Sequence, residues 1–133
     1  MTDIQAVNEL LKNYAASVGS CDLQKAGEIW LTDERTTFIH PLGTEYGWQS
    51  VKDNFYGKIM GGLFAERRLE LRDVQIQIYD DTAVAVFQWD FFAVTRADGK
   101  NYETHGRESH VYRRTRDGWK IIHGHYSNMP ITL

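Results

Sequence analysis

The side chains best suited to acid–base chemistry are concentrated between Gly106 and Pro130. Three of the chain's five histidines lie in this stretch with one glutamate and two tyrosines: His110, His123, His125, Glu108, Tyr112 and Tyr126. An imidazole has an ordinary pKa near ~6.5, so it exchanges a proton readily close to neutral pH. Since the stretch also has strand character, these residues predict a polar feature inside a sheet.

Two further candidates for chemistry lie in the N-terminal half of the chain. His40 stands directly before Pro41, at the end of a predicted strand, where it could act as a base. The alternative is a strand-end histidine bonded to the backbone. Tyr14 lies on the apolar stripe of the first predicted helix, and its hydroxyl could donate to a carbonyl oxygen or an oxyanion. The alternative is an ordinary buried tyrosine whose hydroxyl is satisfied by the protein.

Strand parity predicts an aromatic chamber around these groups. His110 alternates in phase with Glu108 and Tyr112, and it should face the same side of the sheet as Trp89 on the preceding strand. The predicted ligand contacts are aromatic: Phe55, Trp89, Phe91, Tyr112 and Tyr126. Such a chamber suits flat or apolar small molecules, and the alternative is a well-packed core without a usable cavity.

His123 and His125 are two residues apart on one predicted strand, so both imidazoles point the same way. Paired histidines of this kind occur in some metal sites, and His105 could approach from the adjacent strand. No cysteine or third ligand has matching local spacing, so we predict no metal and place these histidines on the outer face of the sheet. Polar residues on neighbouring strands should share that face and favour dimer packing: Glu103, Arg107, Ser109, Gln88 and Asp90.

Three helices are predicted before the sheet. The first begins at Thr2 or Asp3, ends at Gly19-Ser20 and carries a stripe with three- and four-residue spacing: Ile4, Val7, Leu11, Tyr14 and Val18. Asp22 is the predicted cap of a second helix that continues through Trp30. The third follows Gly47, ends at Gly61-Gly62 and carries an apolar stripe: Val51, Phe55 and Ile59.

The remainder of the chain reads as strands. Residues 36–40 and 43–46 predict two short strands, and four long antiparallel strands follow, of which Ala83–Thr95 is predicted to be central. The apolar phase slips within residues 67–79, so a β-bulge is expected near Arg72–Asp73. An Asp117-Gly118 pair between two aromatic and β-branched runs predicts a tight hairpin. Helices followed by a meander predict an α+β domain with helices on one face of a curved sheet.

Composition narrows the function classes. The chain has 133 residues, a net charge of −3 and one cysteine, Cys21. One domain spanning 1–133 is expected, without a disulfide, and no basic stripe suggests nucleic acid. No signal peptide or membrane span is evident, so the sequence predicts a soluble cytoplasmic protein.

The layout and the C-terminal motifs resemble the SnoaL-like branch of the nuclear-transport-factor-two-like superfamily, which includes the ketosteroid isomerases. The nearest local resemblance is to the association (hub) domain of calcium/calmodulin-dependent protein kinase II. It is carried by Glu108-Ser-His-Val-Tyr-Arg-Arg and by Asp117-Gly-Trp-Lys-Ile-Ile-His-Gly-His-Tyr-Ser, followed by Pro130. The resemblance implies a conical, cystatin-like fold, a pocket inside the cone and homodimers or larger rings.

The resemblance also implies site residues. By position, Tyr14, His40 and His110 match the tyrosine, the base and the protonated acid of ketosteroid isomerases. Two histidines replace the carboxylates, which argues against steroid isomerisation. We therefore expect a small-molecule pocket with His40 as base and with Tyr14 and His110 stabilising the oxyanion. The expected reaction is that of a cofactor-independent isomerase, cyclase or dehydratase that moves a proton next to a carbonyl. The alternative is a non-catalytic oligomerisation or ligand-sensing module, as the hub resemblance implies.

Overall fold

The first helix, α1 (Asp3–Ser20), is the longest element of the helical layer. The structure is a computed structural model that describes residues 1–133. Thr2 and Gln5 form a capping box, since each side chain accepts the other residue's backbone N–H. The buried face of α1 lies on the sheet and comprises Val7, Leu10, Leu11, Tyr14, Ser17 and Val18. Ile4, predicted to belong to this stripe, is 42% exposed.

The second helix, α2 (Leu23–Ile29), begins as predicted, because the Asp22 carboxylate accepts the backbone N–H groups of Gln24 and Lys25. No helix of the chain is long and apolar enough to cross a membrane.

The third helical segment departs from the predicted α-helix. One α-helical turn, α3 (Trp48–Ser50), continues into a π-helix, Val51–Gly61. A π-helix bonds residue i to residue i+5, so its apolar residues recur at a wider spacing. The segment accordingly buries Val51, Phe55, Tyr56 and Met60, whereas the predicted Ile59 is only half-buried.

Six strands form one sheet in the order β2-β1-β6-β5-β4-β3. Their bounds are β1 Thr37–His40, β2 Gly43–Tyr46, β3 Phe64–Tyr79, β4 Thr82–Thr95, β5 Asn101–Thr115 and β6 Gly118–Asn128. All neighbouring pairs are antiparallel except β1 with β6, which run parallel. The prediction that Ala83–Thr95 is central is wrong, because β1 pairs with β6 and this leaves β6 and β5 in the middle.

Irregularities in the ladders bend the sheet around α1. The register of β3 against β4 shifts between Arg72 and Gln75, which confirms the predicted bulge. A second shift leaves Ile122 without a partner between the Tyr112–Ile121 and Val111–His123 pairs. The three helical segments pack on one face of the curved sheet, so the fold is the predicted α+β cone.

Candidate functional site

A cavity of about 170 Å³ lies between the sheet and the helices. Seventeen residues line it, of which thirteen are hydrophobic and one, Glu108, is charged. Three large hydrophobic residues of the lining are also well exposed, namely Leu42 at 69%, Leu63 at 49% and Tyr102 at 42%. These residues mark the opening of the cavity, formed by the β1–β2 turn, the end of the third helical segment and the start of β5.

Glu108 is held against the cavity by two donors. The Tyr14 hydroxyl donates to its Oε2 at 2.7 Å, and Nε2 of His110 lies 2.6 Å from the same oxygen. The other oxygen, Oε1, has no hydrogen-bond partner within the chain. Burial raises the pKa of Tyr14 well above its ordinary value, and the charge of Glu108 raises it further. Tyr14 therefore stays protonated, and its O–H donates a hydrogen bond to the carboxylate.

His110 connects Glu108 to Tyr112, which is buried in the core outside the cavity wall. Its Nδ1 lies 2.9 Å from the Tyr112 hydroxyl, and its ring is fully buried. With Glu108 ionised, Nε2 carries the proton and donates, while Nδ1 accepts from Tyr112. Burial, and then the charge of Glu108, raises the pKa of Tyr112. Because the Tyr112 hydroxyl has no other partner, the chain of bonds ends there, and it fixes Glu108 rather than leading a proton to solvent.

Trp89 brings an unused donor to the cavity. Its side chain is 4% exposed and lines the cavity, and its indole Nε1 is the one buried side-chain polar atom without a hydrogen-bond partner. The indole lies across Gly106, where a Cβ atom would approach its Cζ2 to 2.2 Å. The carbonyl oxygen of Ser127 would lie closer still, at 2.1 Å, so the ring and this backbone oxygen together require glycine at position 106. Trp89 also packs edge-on against Tyr126, with ring centroids 5.7 Å apart.

Strand register places these groups next to one another. Trp89 on β4 pairs with Gly106 on β5, and two residues further along β5 Glu108 pairs with Tyr126 on β6. The pairs belong to adjacent rows of one sheet face, so the indole donor, the carboxylate and the Tyr126 ring form a contiguous floor. Tyr126 has a raised pKa because of burial and the nearby Glu108 charge, so its hydroxyl also stays protonated.

His40 belongs to a second buried network. Its Nε2 lies 2.7 Å from Oε2 of Glu45, and its Nδ1 accepts the backbone N–H of Leu42 at 3.2 Å. Glu45 also accepts from Ser50 at 2.7 Å and from Asn54 at 2.8 Å. Burial opposes ionisation of Glu45, but these three side-chain hydrogen bonds outweigh it and lower its pKa. Both nitrogens of His40 are therefore engaged within the protein.

Of the eight predicted site residues, five line the cavity and three do not. Tyr14, Phe55, Trp89, Phe91 and Tyr126 line the cavity, whereas His40, His110 and Tyr112 do not. The parity of β5 was predicted correctly, since Glu108, His110 and Tyr112 are all buried on the inner side. What differs is depth: Tyr14, Trp30 and Phe87 enclose the ring of His110. His40 is separated from the cavity by the rings that pack against it, Phe55 and Tyr126.

Glu108, although named among the groups suited to acid–base chemistry, was not predicted to be a site residue, yet it is the one charged group in the cavity wall. Its signal was present in the sequence, because it shares the parity of His110 and lies nearer the strand end that faces the opening. Histidine was preferred there because its ordinary pKa lies near neutrality, although the surroundings of a carboxylate determine how it reacts.

The remaining histidines lie on the outer face of the sheet. His123 bonds the Thr37 hydroxyl at 2.7 Å through Nδ1, and burial, followed by the charges of His125 and His110, lowers its pKa. His105 lies 2.6 Å from an Asp90 oxygen and 2.9 Å from a Glu103 oxygen, and these bonds raise its pKa. Strict alternation from His123 would put Trp119 and Ile121 on the outer face as well, but both are buried on the inner side because the register shift at Ile122 reverses the alternation.

Solved structures with the same fold extend over nearly the whole chain. An NTF2-like superfamily protein from Salmonella enterica serovar Typhimurium is 38% identical, with a TM-score of 0.94 over 96% of this chain and 92% of that one. A candidate calcium/calmodulin-dependent protein kinase II association domain from Xanthomonas campestris is 18% identical, with a TM-score of 0.79 over 95% and 87%. A hexachlorocyclohexane dehydrochlorinase from Novosphingobium barchaimii is 12% identical, with a TM-score of 0.82 over 96% and 87%.

The sequence itself matches one family model. Residues 7–132 match the model described as the SnoaL-like domain, while no curated protein matches the chain. The match spans both the helical layer and the complete sheet, including every residue around the cavity. The chain therefore belongs to the SnoaL-like domain family, within the NTF2-like fold.

Proposed function

We propose that this chain binds a small molecule in its cavity and, without a cofactor, transfers a proton next to a carbonyl group. The observation that carries the proposal is Glu108, the one charged residue on an apolar wall, with Oε1 free and Oε2 held by Tyr14 and His110. A carboxylate in such a site is poorly hydrated and already oriented, so it can act as a base. Glu108 replaces His40 as the proposed base, because both ring nitrogens of His40 are hydrogen-bonded within the protein.

The proposed reaction begins with one proton transfer. Glu108 Oε1 takes the proton from the carbon next to the carbonyl, the C–H electron pair becomes a C=C bond, and the π pair of the carbonyl moves onto oxygen to give an enolate. Where the substrate also has a neighbouring C=C bond, return of the proton to the far carbon completes an isomerisation. Where the next carbon carries a hydroxyl group, collapse of the enolate expels that group, which takes the proton from Glu108 and leaves as water, and this is a dehydration. The hexachlorocyclohexane dehydrochlorinase from Novosphingobium barchaimii, whose name describes an elimination, shows only that this fold accommodates such enzymes.

The test is hydrogen–deuterium exchange at the carbons next to the carbonyl of cyclohexanone, followed by NMR in D₂O. The wild type should accelerate exchange, and Glu108→Gln should lower that acceleration by at least about 100-fold, the usual minimum contribution of a general base. Glutamine still accepts the hydrogen bonds of Tyr14 and His110, so the fold should persist. Glu103→Gln, an outward-facing change on the same strand, is the control, and full exchange by Glu108→Gln would reject the proposal.

A second candidate is a non-catalytic assembly or ligand-sensing module. It is favoured by the outer face of the sheet, which no helix covers and on which Val86 is 53% exposed. Dimerisation through that face is compatible with a working cavity, so the two candidates differ in whether Glu108 supports exchange. The cytoplasmic location stays a prediction from the sequence.

A further inference from the structure

We propose that the indole N–H of Trp89 donates a hydrogen bond to the carbonyl oxygen of the ligand, and that this ligand is a neutral molecule about the size of one six-membered ring. The inference builds on the proposed function, because it names the substrate class for which Glu108 would act. It begins with the unpaired Nε1 of Trp89, buried in a cavity wall where a polar hydrogen normally has a partner.

The position of the indole suits an acceptor that lies beside Glu108. The two side chains stand in adjacent rows of the sheet, and the indole lies across Gly106 beside the row of Glu108. Water does not reach Nε1 in this position of the ring, so a ligand oxygen would meet it through a tilt of the ring away from Gly106. A carbonyl oxygen bonded to Nε1 would leave the neighbouring carbon facing the carboxylate. When Glu108 removes the proton from that carbon, the charge that develops on oxygen would be met by the indole N–H, which has no competing partner to give up.

The charge of the cavity selects against ions. No lysine, arginine or histidine lines it, and a carboxylate ligand would lie beside Glu108 without a compensating cation. Two guanidinium groups that reach the lining residues are already engaged: Arg67 donates to the backbone carbonyls of Val18, Met60 and Phe64, and Arg96 donates to those of Gly61 and Phe64. An ammonium ligand could pair with Glu108, but it has no acceptor for the indole. A neutral carbonyl compound is the class that satisfies both groups.

The volume limits the ligand to roughly one ring. The cavity measures about 170 Å³, and an engineered apolar cavity of about 150 Å³ in another protein holds benzene. Two fused rings would require the walls to move. Cyclohexanone is therefore the matched probe, with methylenecyclohexane as its isostere lacking the oxygen.

The experiment follows the four tryptophan indole N–H signals by ¹H–¹⁵N NMR, with the Trp89 signal assigned by its loss in Trp89→Phe. Cyclohexanone should shift this signal, whereas methylenecyclohexane should leave it close to its free position. Trp89→Phe should lower the affinity for cyclohexanone about tenfold, which is the value of one neutral hydrogen bond, and should leave the affinity for methylenecyclohexane unchanged. Trp119→Phe, distant from the cavity, is the control. Cyclohexanecarboxylate and cyclohexylammonium should each bind at least about tenfold more weakly than cyclohexanone.

An unmoved Trp89 signal at saturating cyclohexanone would overturn the inference. So would an equal loss of affinity for cyclohexanone and methylenecyclohexane in Trp89→Phe, or binding of either ion that is tighter than that of cyclohexanone. If the rate of hydrogen–deuterium exchange falls in Glu108→Gln but is unchanged in Trp89→Phe, the inference is overturned while the proposed function stands. Binding that depends on Trp89 without any exchange would support this inference and reject the proposed function.

Discussion

At the scale of single residues, Glu108 is held by a chain of buried hydrogen bonds whose members depend on one another. Tyr14 and His110 both donate to one oxygen, and Tyr112 orients His110 from below. A buried polar group that loses its partner costs more than the bond itself contributed, because the group remains away from water. The arrangement therefore makes His110 a positioning residue for Glu108 rather than a group that touches the ligand.

Replacing His110 by Phe should expose this dependence. The change leaves the Tyr112 hydroxyl unpaired and removes one of two donors to a buried carboxylate, so the free energy of unfolding should fall by roughly 2–4 kcal/mol. Urea unfolding measures the loss. His125→Ala, on the exposed outer face, should change the same quantity by less than about 0.5 kcal/mol. Equal stability of His110→Phe and the wild type would mean that the chain of bonds is not formed.

At the scale of elements, Glu45 joins the β1–β2 hairpin to the third helical segment. It accepts from His40 within the hairpin and from Ser50 and Asn54 across the gap. The turn of this hairpin carries Leu42 to the opening of the cavity, so the same network that engages His40 also holds one side of that opening.

This network predicts a loss of stability in acid. The pKa of Glu45 is lowered in the folded chain, so its ionised form contributes stability above its ordinary pKa of 4.5, and the contribution disappears as pH falls through the lowered folded value. The stability gap between the wild type and Glu45→Gln should therefore shrink between pH 6 and pH 3. Urea unfolding across this range checks it. Glu9→Gln, an exposed change without a partner, should show a constant gap, and a constant gap for Glu45→Gln would contradict the network.

Local elements were predictable where one or two residues determine them. The caps at Thr2 and Asp22, the turn at Asp117-Gly118 and the bulge near Arg72 follow from side-chain chemistry or from a break in alternation. The π-helix was not predictable, because Val51 and Phe55 fit an α-helical stripe equally well. The register shift at Ile122 was missed for a related reason, since Ile121 and Ile122 are both apolar and hide the change of phase.

At the scale of the whole molecule, the cone was predictable but the depth of each side chain within it was not. Alternation assigns a face, and it placed Trp89 and His110 on the same one. The register then separates them, since His110 pairs with Ala85, four residues from Trp89 and thus roughly 13 Å along the strand. Only the bend of the sheet and the helix above it decide which of the two meets the cavity.

The uncovered outer face predicts a dimer. Val86 lies there opposite Ser109 and among polar neighbours, and Val86→Glu would place a charge inside an interface formed by this face. Light scattering coupled to size exclusion should find a dimer for the wild type and a monomer for Val86→Glu. Leu23→Arg, on the exposed side of α2, should remain dimeric. A monomeric wild type, or a dimer unaffected by Val86→Glu, would contradict this assignment.

The most direct measurement of the central claim is a crystal structure of the chain with cyclohexanone bound. We expect one orientation of the ketone, with the carbonyl oxygen about 3 Å from Trp89 Nε1 and an adjacent carbon roughly 3–3.5 Å from Glu108 Oε1. Such a complex would place a base and an oxyanion donor on the same ligand. A carbonyl directed toward the opening at Leu42, or a cavity that closes around Glu108 without admitting the ketone, would contradict it.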